Sequence, residues 1–381
     1  MKKMRCETIW AYGFILLAMT LLPLAGFGRE EATPTPAVEQ TWQALVEAAR
    51  AEGKLVISSN SLHESLPQAF EKKYGIRTIL EASSGREATN RLLAERRAGI
   101  HAVDIFIAGR GTMRSRLLPA GVLGSIPDLL INPEVVDQSL WREGHWYGDP
   151  DQKYVFFFAM NASSDNAYNT NLVDPKDVRS WWDLLDPRWR GKLIASHPVR
   201  RPGTEATRAW LYTHPALGPD YIRRIYTETG MKLVATDREM ANGIATGAFA
   251  ILFLAGNVGQ DIDQMERDGF PVSKWRTPWK EGTTISPGGD GSIAVIEPAA
   301  NPNAQKLFLN WFLSREGQQI YNNRPNADRE SLRVDVTPNN IPSHYRLPEG
   351  RLHSLDARPD ITKIQRESEK FIRSIVVKYG L

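Results

Sequence analysis

The sequence predicts an α/β protein built as two lobes, and three observations lead there. The chain has 381 residues, more than one ordinary core takes and enough for two domains of ordinary size. Short apolar runs alternate with helical patterns in two separate sections, the grammar of βαβ units and mostly parallel sheets. Between those sections lies KYVFFFAMNASSDNAYN (153–169), a long β-rich stretch with no helix of its own.

The first section opens with a helix, TWQALVEAARAEG, ended by Gly53. KLVISS (54–59) is then a strand, LPQAFEKKYG (66–75) a helix stopped by Gly75, and IRTILEA (76–82) a second strand. REATNRLLAERRAG (86–99) is a helix and AVDIFIAG (102–109) the third strand. Each helix ends at a glycine, the residue that most easily adopts the left-handed stop.

The second section repeats the pattern. SWWDLLDPRWRGKLIASHP (180–198) reads as a packing helix followed by the strand GKLIAS (191–196), with Trp181, Trp182 and Trp189 as core residues. GTEATRAWLYTH (203–214) is a helix, MKLVAT (231–236) a strand, DREMANGIATG (237–247) a helix, AFAILFLAG (248–256) a strand and NVGQDIDQMERDG (257–269) a helix. Further on, GSIAVIEPA (291–299) is a strand and 303–323 one amphipathic helix, with Leu307, Trp311 and Phe312 on one face. The closing stretch 360–380 carries Ile361, Ile364, Phe371, Ile375 and Tyr379 at helical spacing and reads as a helix packed on the body, the alternative being a partner-binding helix.

The amino terminus has the pattern of an export signal: Lys2, Lys3 and Arg5, then an apolar run, then a polar stretch, with Gly28 as the cut. An uncleaved anchor is the alternative, since Trp10 to Phe27 is long enough to span a bilayer. The chain's single Cys is Cys6, inside that segment, so the exported chain carries no thiol and no disulfide, zinc-thiolate site or Cys nucleophile. Removing 1–28 takes three basic residues and Glu7 from the totals, leaving 44 basic and 43 acidic residues. A nearly neutral chain gives no electrostatic reason to expect nucleic acid or an anionic membrane as partner.

Open parallel sheets bind ligands at the carboxyl ends of their strands. Those ends are Ser59-Asn60, Ser84-Gly85, Gly109-Arg110, the loop ASHPVRRPGTEA with His197, Arg200 and Thr204, and Gly256-Asn257. Gly, Ser, Asn and Thr there let the backbone N–H groups at helix starts point at a bound anion; the same residues also serve as plain helix caps. Arg200 can clamp a carboxylate or phosphate, or be solvated; His197 can touch a ligand, or be structural. The chain has no Gly-x-Ser-x-Gly, His-Glu-x-x-His, phosphate loop or Gly-x-Gly-x-x-Gly after a strand, and its histidines show no metal-ligand spacing. No cofactor, no metal and no catalytic set is expected, so the sequence reads as a binder.

The stretches EGKLVISSNS (52–61), FEKKYGIRT (70–78), SSGREATNRLLAERRAGIHAVDIFIAG (83–109), YNTNLV (168–173), SWWDLLDPRWRGKLIASHP, REMANGIATGAFAI (238–251) and FLSREGQQIY (312–321) resemble, in combination, the extracellular solute-binding proteins of ABC importers. The resembling branch includes ferric-iron, thiamine, polyamine and aminophosphonate binders, and the likeness covers about residues 45–323. It implies a type II periplasmic-binding fold, two α/β lobes joined by two crossing strands with a cleft that closes by hinge bending. Lobe one would be 41–153 plus 287–381, lobe two 165–285, and the crossings 154–164 and 284–292. The resemblance also implies a periplasmic monomer that hands a small-molecule ligand to an ABC permease in the inner membrane. Ferric binders of the branch offer adjacent tyrosines after the strand matching AFAILFLAG, where this chain has Gly256-Asn257-Val258-Gly259. The expected ligand is therefore a small organic anion or zwitterion held by Ser59, Ser84, Thr204, Asn257 and Arg200, with a ferric receptor as the alternative. An exported enzyme on the same architecture and a sensory receptor feeding a kinase are the readings from other classes.

Overall fold

The computed structural model describes residues 36–381 apart from 60–61, 84, 200–203, 257, 350–351, 353, 355–357 and 359. The expected signal segment 1–28 lies outside the described residues. Among those that are described, no helix is long and apolar enough to cross a membrane.

The described strands form three sheets. The first has the order 77–82, 54–59, 105–107, 292–295, 156–157, 146–147. Lys54–Ser59 is parallel to both Arg77–Ala82 and Ile105–Ile107. It is buried along its length after Lys54, with successive apolar residues Leu55, Val56 and Ile57 in place of the alternation a half-exposed strand would show. The second sheet has the order 272–274, 167–169, 251–253, 193–196, 232–234, with the last three strands parallel. Helix Ser65–Tyr74 stops at Gly75, which takes the left-handed conformation at φ 72° and returns its N–H to the Glu71 carbonyl.

The β-rich stretch 153–169 is divided among all three sheets. Phe156–Phe157 belongs to the first, Ala167–Asn169 to the second, and Ala159–Ser163 to a small third sheet between them. The chain crosses from one large sheet to the other there and returns through Thr284–Ser286. The two crossings pair antiparallel, Thr284 opposite Ser163 and Ser286 opposite Asn161. This is the type II periplasmic-binding architecture: two α/β lobes joined by two crossing strands. One apolar cluster fills the first lobe around Ile57, Phe106, Phe156, Ile293 and Phe308; another fills the second around Trp181, Tyr221, Ile225, Ile251 and Phe253.

Three expectations are corrected. The single helix over 303–323 is two, Pro302–Phe312 and Arg315–Asn322. The chain turns at Ser314, whose hydroxyl accepts from the Gly317 N–H. A Cβ on Gly317 would stand 2.4 Å from the Trp311 carbonyl and 2.5 Å from that of Phe312, so the second helix doubles tightly back on the end of the first. The packing helix ahead of GKLIAS is instead two 3-10 turns, Trp181–Leu185 and Pro187–Trp189. Pro187 holds Asp186 out of the helical region, at φ −55° and ψ 132°, and ends the first turn. Finally, the carboxyl-terminal helix Ile361–Tyr379 packs on helices Glu205–Thr213 and Gly218–Glu228 of the second lobe, not with the first as the 287–381 grouping had it. Ile372, Ile375 and Val376 enter the second apolar cluster, and Ile361 and Ile364 close over Ala209.

Candidate ligand-binding cleft

Strand register lines up the expected site residues of the first lobe. Ser59 pairs with Ala82 on one side and with Ile107 on the other, so three strand ends stand abreast. Ser59 is buried, and its hydroxyl accepts the Leu62 N–H at 3.0 Å. Gly85 opens helix Gly85–Arg97, where a Cβ would come 3.5 Å from Thr112 Oγ1; the helix start therefore abuts the turn that follows Gly109. A Cβ on Gly109 would lie 3.2 Å from the Gly288 carbonyl and 3.7 Å from Gly289 Cα, so this loop leans on the return crossing. Arg110 is buried, and its stem packs where a Cβ on Gly148 would lie 2.6 Å from its Cδ. Arg110 thus runs into the body of the lobe.

The second lobe has a matching edge. Ala195 is paired with Phe253, and Ser196 with Val234. His197 donates its N–H to Val234 O at 2.7 Å, and its Nδ1 accepts from the Val199 N–H at 3.2 Å, so the ring shapes its own loop. The buried Arg208 donates to Ser196 Oγ and to the Pro198 carbonyl, both at 3.3 Å, and fixes the same loop from below. Thr204 stands at the start of helix Glu205–Thr213, is 4% exposed, and makes no side-chain cap bond. Asn60, Ser84, Arg200 and Asn257, with Arg201, lie outside the described residues.

The structure adds residues that the sequence reading did not single out. Asp165 ends the outbound crossing in the left-handed conformation at φ 56°, and Leu254 does the same at φ 53°; both are unusual for non-glycine residues. They hold each other: Ala255 N–H donates to the Asp165 carbonyl, and Leu254 N–H to Asn166 Oδ1 at 3.0 Å. The Asp165 carboxylate accepts from Thr207 Oγ1 at 2.5 Å and Ser163 Oγ at 3.3 Å. Burial pushes this carboxyl up, against the lowering pull of those hydroxyls and of the charges on Lys274 and Arg329. The only local signal was the polar run Ser163-Ser164-Asp165-Asn166 straight after an apolar crossing.

Arg329 and Tyr345 come from the segment beyond about 325, whose role the sequence left open. Glu330–Ser331 adds a strand to the outbound crossing, Glu330 opposite Met160. Arg329 pairs with Asp290 and Asp328, and Gly288 leaves room for its guanidinium: a Cβ there would be 2.6 Å from Nε. Tyr345 reaches the second lobe, where Lys274 Nζ donates to its hydroxyl at 3.0 Å and also to Asp263.

Two buried hydroxyls stand out at this edge. Ser83 Oγ, just ahead of helix Gly85–Arg97, and Thr204 Oγ1, at the start of helix Glu205–Thr213, meet no hydrogen-bond partner among the described residues. One belongs to each lobe. A bacterial extracellular solute-binding protein model matches residues 60–323. The chain belongs to that family. Iron uptake protein A2 of Synechocystis sp. is 22% identical to this solute-binding protein over 294 residues, 73% of this chain and 78% of that one. Among solved structures, Trichodesmium IdiA (FutA) in complex with iron and citrate superposes with a TM-score of 0.58 at 18% identity, covering 85% of this chain and 99% of that one. The periplasmic binding protein AfuA of Actinobacillus pleuropneumoniae, with fructose-6-phosphate bound, gives 0.56 at 20% identity over 86% and 99%. At these identities the structural likeness speaks for the fold of the solute-binding protein, and the ligand has to be argued from its own residues.

Proposed function

We propose that this protein is an extracytoplasmic receptor that captures a small anionic or zwitterionic solute between its lobes and delivers it to an ABC permease in the inner membrane. The observation that carries the reading is two buried hydroxyl oxygens without a partner among the described residues, Ser83 Oγ and Thr204 Oγ1, one at a helix start in each lobe. A buried donor without a partner costs on the order of 1–3 kcal/mol. Each of the two stands at a helix start, where the backbone dipole favours negative charge, and an oxyanion held between the lobes would give both a partner. Ser59, Gly85 and Gly109 then line the first lobe's wall and His197 and Thr204 the second, with hinge bending at 154–164 and 284–292. Export through the 1–28 segment puts the receptor in the periplasm as a monomer, and binding without turnover makes it a receptor and not an enzyme.

A bare ferric ion suits the site less well, although FutA carries iron with citrate. Tyr345 is the phenol that meets Lys274, and burial pushes its hydroxyl up, so it stays protonated and is a poor ligand for Fe(III). An anion such as citrate or a sugar phosphate, the latter present in AfuA, matches the hydroxyl pair and the cations.

The test is thermal melting of residues 29–381 against sugar phosphates, phosphonates, carboxylates, polyamines, thiamine and ferric citrate. A ligand at a hundred times its Kd adds about 2.7 kcal/mol and raises the midpoint by a few degrees. A shift with an anionic class supports the proposal. A shift with ferric ion alone, or turnover of any compound, overturns it.

A further inference from the structure

Lys274 is the residue whose surroundings ask for something more. It ends strand Val272–Lys274, opposite Ala167, at the edge of the second sheet into which the outbound crossing feeds. The same edge starts helix Val258–Arg267, and the Lys274 stem lies against that start: a Cβ on Gly259 would be 3.3 Å from its Cε. A cation at a helix N-terminus opposes the helix dipole, so the placement needs a compensating anion. Asp263, one turn into the same helix, provides part of it. The side chain is 22% exposed, so solvent or a ligand can still reach it. An ammonium carries three donors; Asp263 and Tyr345 take two of them.

The Tyr345 contact is unusual in origin. The family match ends at residue 323, so Tyr345 belongs to a segment outside it. That segment is anchored firmly on the first lobe and the crossings. Leu347 and Leu352 are buried in the first apolar cluster, Leu347 N–H donates to Glu330 Oε2 at 2.9 Å, and Ser354 Oγ donates to the Ile285 carbonyl at 2.8 Å. Tyr345 therefore holds a second-lobe lysine from a base fixed elsewhere, and it sets the direction of the ammonium. Opposite, Arg329 of the same segment lies under the Gly288 loop, against which Gly109 packs. Both cations act on the Asp165 carboxyl at the crossing.

We propose that Lys274 supplies the cation that grips the anionic group of the solute, and that Tyr345 is its positioning residue, so that the segment beyond 323 sets ligand specificity. The inference rests on the receptor reading above and names the group that makes it select anions.

The experiment measures binding of fructose 6-phosphate, inorganic phosphate and citrate by calorimetry to residues 29–381, as wild type, Lys274→Met, Tyr345→Phe and the double variant, with Lys274→Arg as the charge-keeping control. Removing a charge-assisted hydrogen bond weakens the anion that binds best by roughly ten- to a hundredfold in Lys274→Met, and Lys274→Arg recovers part of it. Tyr345→Phe weakens it about three- to tenfold in the wild-type background and has no further effect once Lys274 is gone, because its contribution runs through that side chain. A merely structural tyrosine would cost the same in both backgrounds. Midpoints without ligand, read on every variant, show that each is folded. If the wild type binds an anion and Lys274→Met binds it equally well, the inference fails and the receptor reading stands. If the wild type binds none of the three, the inference fails, and the receptor reading is decided separately by the wider melting panel.

Discussion

Trp181 lies stacked on Trp279, ring centroids 4.7 Å apart and planes 27° apart. Trp275 lies tilted against Trp279, centroids 5.0 Å and planes 41° apart, and Trp181 Nε1 donates to the Gly282 carbonyl at 3.0 Å. Glu281 completes the joint by accepting from Ser180 Oγ at 2.6 Å and Trp181 N–H at 3.1 Å. The tryptophan-rich turn is thus a clamp on residues 275–282, the segment that leads directly into the return crossing at Thr284. Trp181→Ala removes a fully buried indole and should cost about 3–5 kcal/mol. Urea unfolding followed by tryptophan fluorescence should show the second lobe melting earlier than the first. A loss below about 1 kcal/mol would mean the clamp is dispensable.

Thr204→Val separates binding from stability. The hydroxyl makes no cap bond and meets no partner among the described residues, so a methyl of similar shape replaces it there without breaking a described hydrogen bond. The unliganded protein should be unchanged or up to about 1 kcal/mol more stable, while the best anion binds roughly five- to thirtyfold more weakly. Calorimetry beside a melting curve reads both. A variant that loses stability and keeps its affinity contradicts the assignment of Thr204 to the ligand.

Gly291 and Gly289 make a matched pair. A Cβ on Gly291 would stand 2.1 Å from the Ala159 carbonyl, on the outbound crossing, whereas one on Gly289 meets nothing within 4 Å. Gly291→Ala must push the two crossings apart and should cost more than about 2 kcal/mol, as overpacked sites do. Gly289→Ala should stay within about 0.5 kcal/mol. Equal melting midpoints for the two variants would remove the close approach from the account of the hinge.

The Asp165 carboxyl predicts a pH dependence. Burial raises it, so the folded protein holds that proton more tightly than the unfolded chain does. Its contribution to stability is full below the unfolded value of about 3.9 and is lost as pH rises through the higher folded value. Asp165→Asn cannot titrate. Its stability relative to wild type should therefore increase from pH 4 upward and then level off. Curves that run parallel across that range would show the carboxyl to be no more perturbed folded than unfolded.

Much of this was legible in the residues. Lys54–Ser59 appears as read because the apolar Leu55-Val56-Ile57 between a glycine stop and a polar end has few other ways to bury itself, and Gly75 ends its helix because glycine takes φ 72° without steric cost. The break between Phe312 and Arg315 was not legible, since a helical period continues unchanged through a tight turn that keeps both apolar faces on one core. Nor was the lobe to which the last helix belongs: its apolar stripe states that it packs, but the partners, Ala209 and the helix Gly218–Glu228, are fixed by the path of the chain before it.

At the cleft the division is sharper. Local chemistry alone determined that strand ends carry small polar residues, and therefore where helix starts can face a ligand. The meetings of Lys274 with Tyr345, of Asp165 with Thr207, and of Gly109 with Gly288 join residues 71, 42 and 179 positions apart. Periodicity and capping act over one turn or one strand, so they specify the elements and their apolar faces. Which distant side chains come to share a charge or a carbonyl depends on how the crossings and the carboxyl-terminal segment pack, and that is decided only when the whole core closes.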